Sequence, residues 1–331
     1  MNAFKALVVQ QIEDGHVTKD IQQLSEKDLP EGDVLIKVHY SSVNFKDGMA
    51  AMENGNIVNE YPMVPGIDLS GTVEESSDPA FSKGQEVIVT SYELGVSHYG
   101  GYSEYARVPA EWVVPLPEGL SLKEAMIYGT AGFTAALSVM RLQEEGVTPD
   151  KGTVLVTGAT GGVGSMAAAM LSKLGYDVAA STGKSGEHDY LKKLGVKEII
   201  AREDLVPEKI RPIDKERFAG AVDPVGGETL SYILSCLQYG GAVAVSGLTA
   251  GTKVPTTVFP FILRGINLVG IDSVNCPMDR RKEVWNRLAA DLKTEDLLSE
   301  IGSDITLNEL PEALELIISG KVRGRKIVTF N

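Results

Sequence analysis

Apolar and polar positions alternate in short runs through the first third of the chain. Runs at 6–9, 33–39, 69–74 and 85–90, each bounded by Pro or Gly turns, predict short strands. Up to about residue 120 this spacing predicts a compact, barrel-like, β-rich domain. The period then changes. Ser121-Leu-Lys-Glu124 has the spacing of a capping box, so a helix is expected to start there and to lead through Gly129-Thr-Ala-Gly132 into a second helical run at 133–142. From 153 onward, apolar runs at 154–157, 178–181, 198–201, 218–223, 241–246 and 266–271 alternate with helical stretches such as 165–174 and 228–237. That alternation predicts a doubly wound parallel sheet and an α/β fold class. A helix at 279–292 leads out of the sheet, and 311–319, helical, and 325–330, extended, return to the first domain. The expected division is 1–121, 122–292 and 293–331.

Length agrees with more than one core, since 331 residues exceed the usual single domain. The 43% apolar fraction is that of an ordinary globular chain. With 31 Lys and Arg against 45 Asp and Glu, the net charge of −14 opposes nucleic acid and anionic membrane surfaces as partners. No apolar stretch approaches the roughly 20 residues of a membrane span, and Met1-Asn-Ala-Phe-Lys5 leads into strand-like sequence instead of a signal peptide, so a cytoplasmic location is expected. The two cysteines, Cys236 and Cys276, and the four histidines, His16, His39, His98 and His188, share no metal-ligand spacing. No metal is expected.

One stretch carries chemistry directly. Val154-Leu-Val-Thr-Gly-Ala-Thr-Gly-Gly-Val-Gly164 reads as strand, tight turn and helix start, the arrangement that seats a dinucleotide diphosphate. Gly161 lets backbone approach the phosphates, Gly164 lets the helix pack close to the strand, and the first N–H groups of the helix supply donors. About 20 residues further on, an NAD-binding chain places Asp or Glu against the adenosine ribose. Here the residues are Ser181-Thr-Gly-Lys184, and the first acid, Glu187, comes later. Two hydroxyls and an ammonium suit a 2′-phosphate, so NADPH is the expected cofactor, with Arg202 as a second cation. A merely solvated Lys184 is the alternative. Because ligands lie beyond the carboxyl ends of such strands, Asp223, residues 246–248 and Asp272-Ser273 are further candidates to face the cofactor.

Pro65-Gly-Ile-Asp68, Ser70-Gly-Thr-Val73, Lys83-Gly-Gln-Glu-Val87, Gly100-Gly-Tyr-Ser-Glu-Tyr105, the glycine turn and Val222-Asp-Pro-Val-Gly-Gly227 together resemble the medium-chain dehydrogenase/reductase superfamily over nearly the whole length. Tyr40-Ser-Ser-Val-Asn-Phe-Lys-Asp47, Ile127-Tyr-Gly-Thr-Ala-Gly-Phe-Thr134, Pro255-Thr-Thr-Val-Phe-Pro-Phe-Ile-Leu-Arg264 and Gly270-Ile-Asp-Ser273 resemble its YhdH/YhfP branch of quinone oxidoreductases and acrylyl-CoA reductases. The resemblance implies a GroES-like β-rich catalytic domain joined to a Rossmann domain. Zinc-dependent relatives carry His and Glu where Ile67 and Asp68 stand, and a zinc-binding Cys near Lys46, so metal-assisted alcohol chemistry is disfavoured. Hydride addition to a conjugated C=C or a quinone needs no metal, because the substrate itself delocalises the arriving charge.

Position by position, the resemblance places Asn44 at the nicotinamide, Thr160, Gly161, Gly162 and Val163 at the diphosphate, and Thr182, Gly183, Lys184 and Arg202 at the adenosine phosphate. It places Leu248, Ile262, Ser273 and Arg325 along the cofactor's other side. Ordinary packing is the alternative for Leu248 and Ile262, and a surface salt bridge for Arg325. Asp47 and Tyr61 are the candidate proton donors; the alternatives are an N-cap for Asp47 and a packed aromatic for Tyr61. His98 is a weaker candidate. The small-molecule substrate is then an acyl-CoA thioester, acrylyl-CoA first, or a quinone; a nucleotide-binding protein without turnover is the reading from another class. A homodimer paired through the edge strand near 266–271 is expected.

Overall fold

The structure, a computed structural model, describes residues 3–12, 15–58 and 60–330. Residues 1 and 2, at the head of the expected opening strand, lie outside the described residues. The chain forms two units: one holds the residues up to Thr130, Val274–Ala289 and those from Ile301, the other Ala131–Ser273 and Ala290–Glu300.

The first unit begins with β1 (Phe4–Gln11) and β2 (Val17–Leu24), an antiparallel pair. There follow β3 (Val34–Ser42), α1 (Phe45–Ala50), β4 (Asp68–Ser76), β5 (Glu86–Thr90), β6 (Tyr105–Val108) and β7 (Val114–Pro115). The kinked helix α2 (Leu122–Glu144) leads out of this unit. The second unit contains β8 (Val154–Val156), α3 (Gly162–Lys173), β9 (Val178–Thr182), α4 (His188–Lys193), β10 (Glu198–Ala201), α5 (Arg202–Leu205) and β11 (Phe218–Asp223). It continues with α6 (Gly227–Cys236), β12 (Leu237–Val245), α7 (Phe259–Arg264) and β13 (Asn267–Gly270). Then come α8 (Met278–Leu288), α9 (Glu295–Ile301), β14 (Gly302–Thr306), α10 (Leu310–Ile318) and β15 (Arg325–Thr329).

In the first unit, β14, β15, β3, β4, β5 and β7 follow one another across one sheet, with β6 added on β3. The barrel-like expectation thus becomes a mixed sheet, antiparallel except where β14 and β15 run parallel, beside the separate β1–β2 pair. Alternate positions Val34, Ile36 and Val38 of β3 are buried with Leu69, Val87 and Val89, as a sheet with one core-facing side requires. In the second unit the order is β10-β9-β8-β11-β12-β13, all parallel. The order reverses at β8, the switch point at which such sheets bind nucleotides. Val154, Leu155 and Val156 are fully buried, which is why this strand reads as an unbroken apolar run.

Helix α2 starts at the predicted capping box: Ser121 and Glu124 satisfy each other's backbone N–H groups at 2.8 and 3.2 Å. Gly129, at φ 50° and ψ −158°, breaks the helix. The division between units falls after Thr130, at this break, instead of at the helix start near 121. Residues 274–289, expected with the parallel sheet, belong to the first unit. The reason is Arg281. It is fully buried, lies over the Tyr92 ring at 4.4 Å, and donates to the Thr90 carbonyl at 3.0 Å, the Thr90 hydroxyl at 2.9 Å and the Val274 carbonyl at 3.1 Å. Helix α8 ends at Leu288, four residues before the predicted 292.

Candidate active site

The turn after β8 has the expected form. Gly161 is the N-cap of α3, and Gly162 and Val163 begin the helix, where N–H groups find no carbonyl within it. At Gly164 a Cβ would stand 2.4 Å from the Gly158 carbonyl oxygen, so only glycine lets α3 come this close to the strand. The exposed donors and the positive end of the helix macrodipole form an anion seat. Thr160 is buried beside it, its hydroxyl 3.4 Å from that of Thr182 at the end of β9. The Lys184 N–H donates to the same Thr182 oxygen at 3.1 Å. Arg202, the first residue of α5, lies over Gly183: a Cβ there would be 3.1 Å from its guanidinium carbon. Lys184 is half-buried, and burial pulls its ammonium below the usual lysine range, opposed by Glu187. Thr160, Gly161, Gly162, Val163, Thr182, Gly183, Lys184 and Arg202 therefore gather at the carboxyl ends of β8, β9 and β10. Their donors, clearances and cations fit a diphosphate and a 2′-phosphate.

The remaining second-unit candidates differ among themselves. Asp223 does not open toward a ligand. It is fully buried, takes the Thr157 hydroxyl, and accepts from the N–H groups of Val225 at 3.2 Å and Gly226 at 3.0 Å, so it holds the turn after β11. Leu248, after β12, is 60% exposed and Ile262, on α7, 68%, which rules out core packing for either. Ser273 follows β13 by three residues.

In the first unit a buried charge cluster forms around Asp68, at the start of β4. Its carboxylate accepts from the Ser42 hydroxyl at 2.6 Å, Asn44 Nδ2 at 2.7 Å, the Thr130 N–H at 2.9 Å and the Thr130 hydroxyl at 2.5 Å, with Arg325 Nη2 at 3.7 Å. Arg325 is no surface ion pair. It is buried and donates to the carbonyls of Ile127 (3.2 Å) and Val43 (3.0 Å), to Asn44 Oδ1 (3.1 Å) and to the Ser42 hydroxyl (2.7 Å). Those acceptors take four of the five guanidinium donors and Asp68 adds an ion pair; burial lowers the Arg325 pKa, opposed by the carboxylates of Asp68 and Asp47. The cluster also mends the break in α2. The Thr130 N–H and the Ile127 carbonyl, which flank Gly129, find their partners in Asp68 and Arg325.

Asn44 is the N-cap of α1, with its amide orientation fixed from both ends: nitrogen to Asp68, oxygen to Arg325. Asp47, the candidate proton donor with an N-cap as its alternative, is the third residue of that helix and completes the capping box, while the N-cap itself is Asn44. Its carboxyl is wholly buried, accepting the N–H of Asn44 at 2.8 Å and of Ile67 at 2.9 Å. Burial, and next the charge of Asp68, push Asp47 up to about 6. Tyr102 beside it is raised well above the usual tyrosine range, mainly by burial. Tyr61 lies apart from this cluster, half-buried against the apolar residues that surround β1. His98 donates from Nε2 to the Arg107 carbonyl at 2.7 Å and packs edge-on to Trp112. The roles of Asp68 and Thr130 were missed by sequence reasoning. The only signal was the carboxylate following Ile67 in the position that zinc relatives use.

Residues 30–118 match the alcohol dehydrogenase GroES-like domain family and residues 162–290 the zinc-binding dehydrogenase family. The putative quinone oxidoreductase YhfP of Bacillus subtilis (strain 168) is 57% identical over 325 residues, 98% of each chain. The probable acrylyl-CoA reductase AcuI of Escherichia coli (strain K12) is 47% identical over 327 residues, 99% of this chain and 100% of the relative. Among solved structures, the yhdH oxidoreductase from Salmonella enterica in complex with NADP has a TM-score of 0.96 at 47% identity, covering 99% of this chain and 100% of that one. Bacillus subtilis yhfP with NAD bound has a TM-score of 0.97 at 56% identity, covering 100% of both. By these matches, and by a parallel sheet that turns at Gly161 and a GroES-like sheet built around Asp68, the chain belongs to the medium-chain dehydrogenase/reductase superfamily, in the branch of YhfP and AcuI.

Proposed function

We propose that this protein is an NADPH-dependent reductase of a conjugated C=C, with acrylyl-CoA as substrate and propionyl-CoA as product. The observation that carries the cofactor is the end of β9, where Thr182, Lys184 and Arg202 converge and no acid stands directly after the strand, the first, Glu187, following Lys184 by three residues. The substrate reading draws support from the acrylyl-CoA reductases that match over essentially the full length. When bound, NADPH supplies hydride to the β-carbon of the conjugated thioester, whose carbonyl oxygen takes the displaced charge before the α-carbon is protonated.

The chain's own residues bind and orient. The N–H groups of Gly162 and Val163 hold the diphosphate; Lys184 and Arg202 hold the 2′-phosphate. Asn44 stands ready at the nicotinamide side with its amide locked by Asp68 and Arg325, which removes a rotamer search from the reaction. Arg325 thereby acts through Asn44. Leu248, Ile262 and Ser273 complete the cofactor's borders in this reading. Asp47, enclosed within the fold, keeps the start of α1 in place. No metal is part of this reading, which rests on the residue types Ile67, Asp68 and Lys46. A cytoplasmic location fits two buried cysteines that form no disulfide.

A homodimer belongs to the same proposal. The edge strand β13 carries Leu268, 42% exposed, and α7, packed on β12 beside it, adds exposed Phe259, Ile262 and Leu263. A quinone as substrate is the second reading, favoured by the 57% identity to YhfP. The deciding experiment follows NADPH absorbance on adding acrylyl-CoA, in parallel with a simple quinone. Fast oxidation by the thioester and slow by the quinone is expected; the reverse makes the protein a quinone reductase. Silence in both, with NADPH still bound, leaves a nucleotide-binding protein without turnover.

A further inference from the structure

Strand register puts Arg202 beside Gly183. Ala201 of β10 stands opposite Thr182 of β9, so the next residue of each strand, Arg202 and Gly183, leave the parallel sheet side by side. Arg202 is exposed, and among the described residues its guanidinium donates to no carbonyl, hydroxyl or carboxylate. What it rests on is Gly183. A Cβ on Gly183 would stand 3.1 Å from the Arg202 Cζ and 3.2 Å from both Nε and Nη2. Distances so nearly equal place that point over the guanidinium face, because a point in its plane would be clearly closer to the two nitrogens than to the carbon, or clearly farther. The guanidinium therefore lies flat on the glycine. Gly183 does not need to be glycine for its own backbone, since it has no positive φ. A side chain there would obstruct the Arg202 plane, and that is what the glycine avoids.

With one face on Gly183, the guanidinium turns its other face outward and its donors radiate from the edges. A planar cation of this kind takes a flat π-system on its face while its edge N–H groups bind an anion. The adenosine end of NADPH brings both groups, an adenine ring and, on the ribose next to it, the 2′-phosphate. We infer that Arg202 is the platform on which the adenine ring stacks, the guanidinium lying between Gly183 and the base while its edge donors join Lys184 at the 2′-phosphate. This inference rests on the cofactor reading above and deepens it, whichever substrate is reduced. It gives the two cations different duties. Lys184, a point charge, serves the phosphate alone; Arg202 also serves the base, which NADH shares.

The test measures binding, with no turnover required: nicotinamide fluorescence for NADPH and NADH, and displacement of NADPH by 5′-ADP, in wild type, Arg202→Lys and Arg202→Ala. Lysine keeps the charge and lacks the plane. Arg202→Lys is expected to raise the Kd of NADH and of 5′-ADP about threefold to tenfold, the worth of a cation–π stack. Arg202→Ala should raise the Kd of NADPH further, because the edge contacts to the phosphate go as well. The thermal midpoint of the ligand-free protein is expected to stay where it is, since the exposed guanidinium makes no hydrogen bond that the fold would lose. Unchanged binding of NADH and 5′-ADP in both variants, with NADPH weakened in Arg202→Ala, makes Arg202 a phosphate cation only and overturns the platform. Unchanged binding of all three ligands overturns it too. Wild-type protein that binds neither NADPH nor NADH overturns the cofactor reading itself, and the platform with it.

Discussion

Gly129 has no room for a side chain. A Cβ there would stand 2.6 Å from both the Asp68 carboxylate and the Ser42 hydroxyl and 2.7 Å from Arg325, on a backbone with positive φ. Gly129→Ala should therefore destabilise the fold by about 3 kcal/mol or more, combining backbone strain with a disturbed buried ion pair. Urea denaturation measures this, and a loss below about 1 kcal/mol would show that the cluster yields easily. Asp47 makes a pH-dependent prediction. Its carboxyl is pushed up to about 6 in the folded protein, whereas in the unfolded chain it titrates near about 3.9. Between these values the folded state holds a proton that the unfolded state has lost, so this group's contribution to stability is full below pH 4 and fades as the pH rises through 6. Asp47→Asn removes that slope. Equal slopes for variant and wild type, in denaturation midpoints from pH 4 to 7.5, would contradict it. At the cofactor end, Lys184→Glu is expected to weaken NADPH by about ten- to a hundredfold while NADH changes little, because one charge-assisted contact is lost and a like charge gained. Equal weakening of both cofactors sinks the phosphate assignment. The glycine turn was legible because adjacent residues make it. The cluster was not, because Asp68, Thr130 and Arg325 meet only in the folded chain and nothing in one sequence pairs them.

Elements differed in legibility for a similar reason. Strands β10 and β11 occupy the spans their apolar runs predicted; β11 is buried throughout, and β10, at the sheet edge, buries Ile200. Strand β2, Val-Thr-Lys-Asp-Ile-Gln-Gln-Leu, pairs only with β1 and contains no fully buried residue, so it leaves no apolar run to find. Helix α1, at six residues, is too short to show a period. Helix α2 announces its start chemically. Ser121→Ala should cost about 1 kcal/mol, the usual worth of an N-cap, measured as a shift in thermal midpoint. No shift would mean that burial of Leu122, Ala125 and Met126 alone sets the helix start.

On the scale of the whole molecule, the proposed homodimer would pair through the outer edge of β13 and the exposed side chains of α7. Light scattering at micromolar concentration should give twice the 35.4 kDa chain mass; a monomer defeats the dimer. The α/β class and the parallel sheet were legible from alternation of runs, but the division into units was not, because buried Arg281 ties a segment between two stretches of the second unit back to the first.

The place of β15 carries a consequence for synthesis. It lies inside the first unit's sheet, between β14 and β3, and supplies the guanidinium that faces Asp68. Yet it follows every strand of the parallel sheet along the chain. A nascent chain that has reached residue 300 already contains every strand of the parallel sheet, while Asp68 waits for its cation and β3 for one of its neighbours. The second unit's sheet can therefore form during translation before the first unit's sheet is able to close.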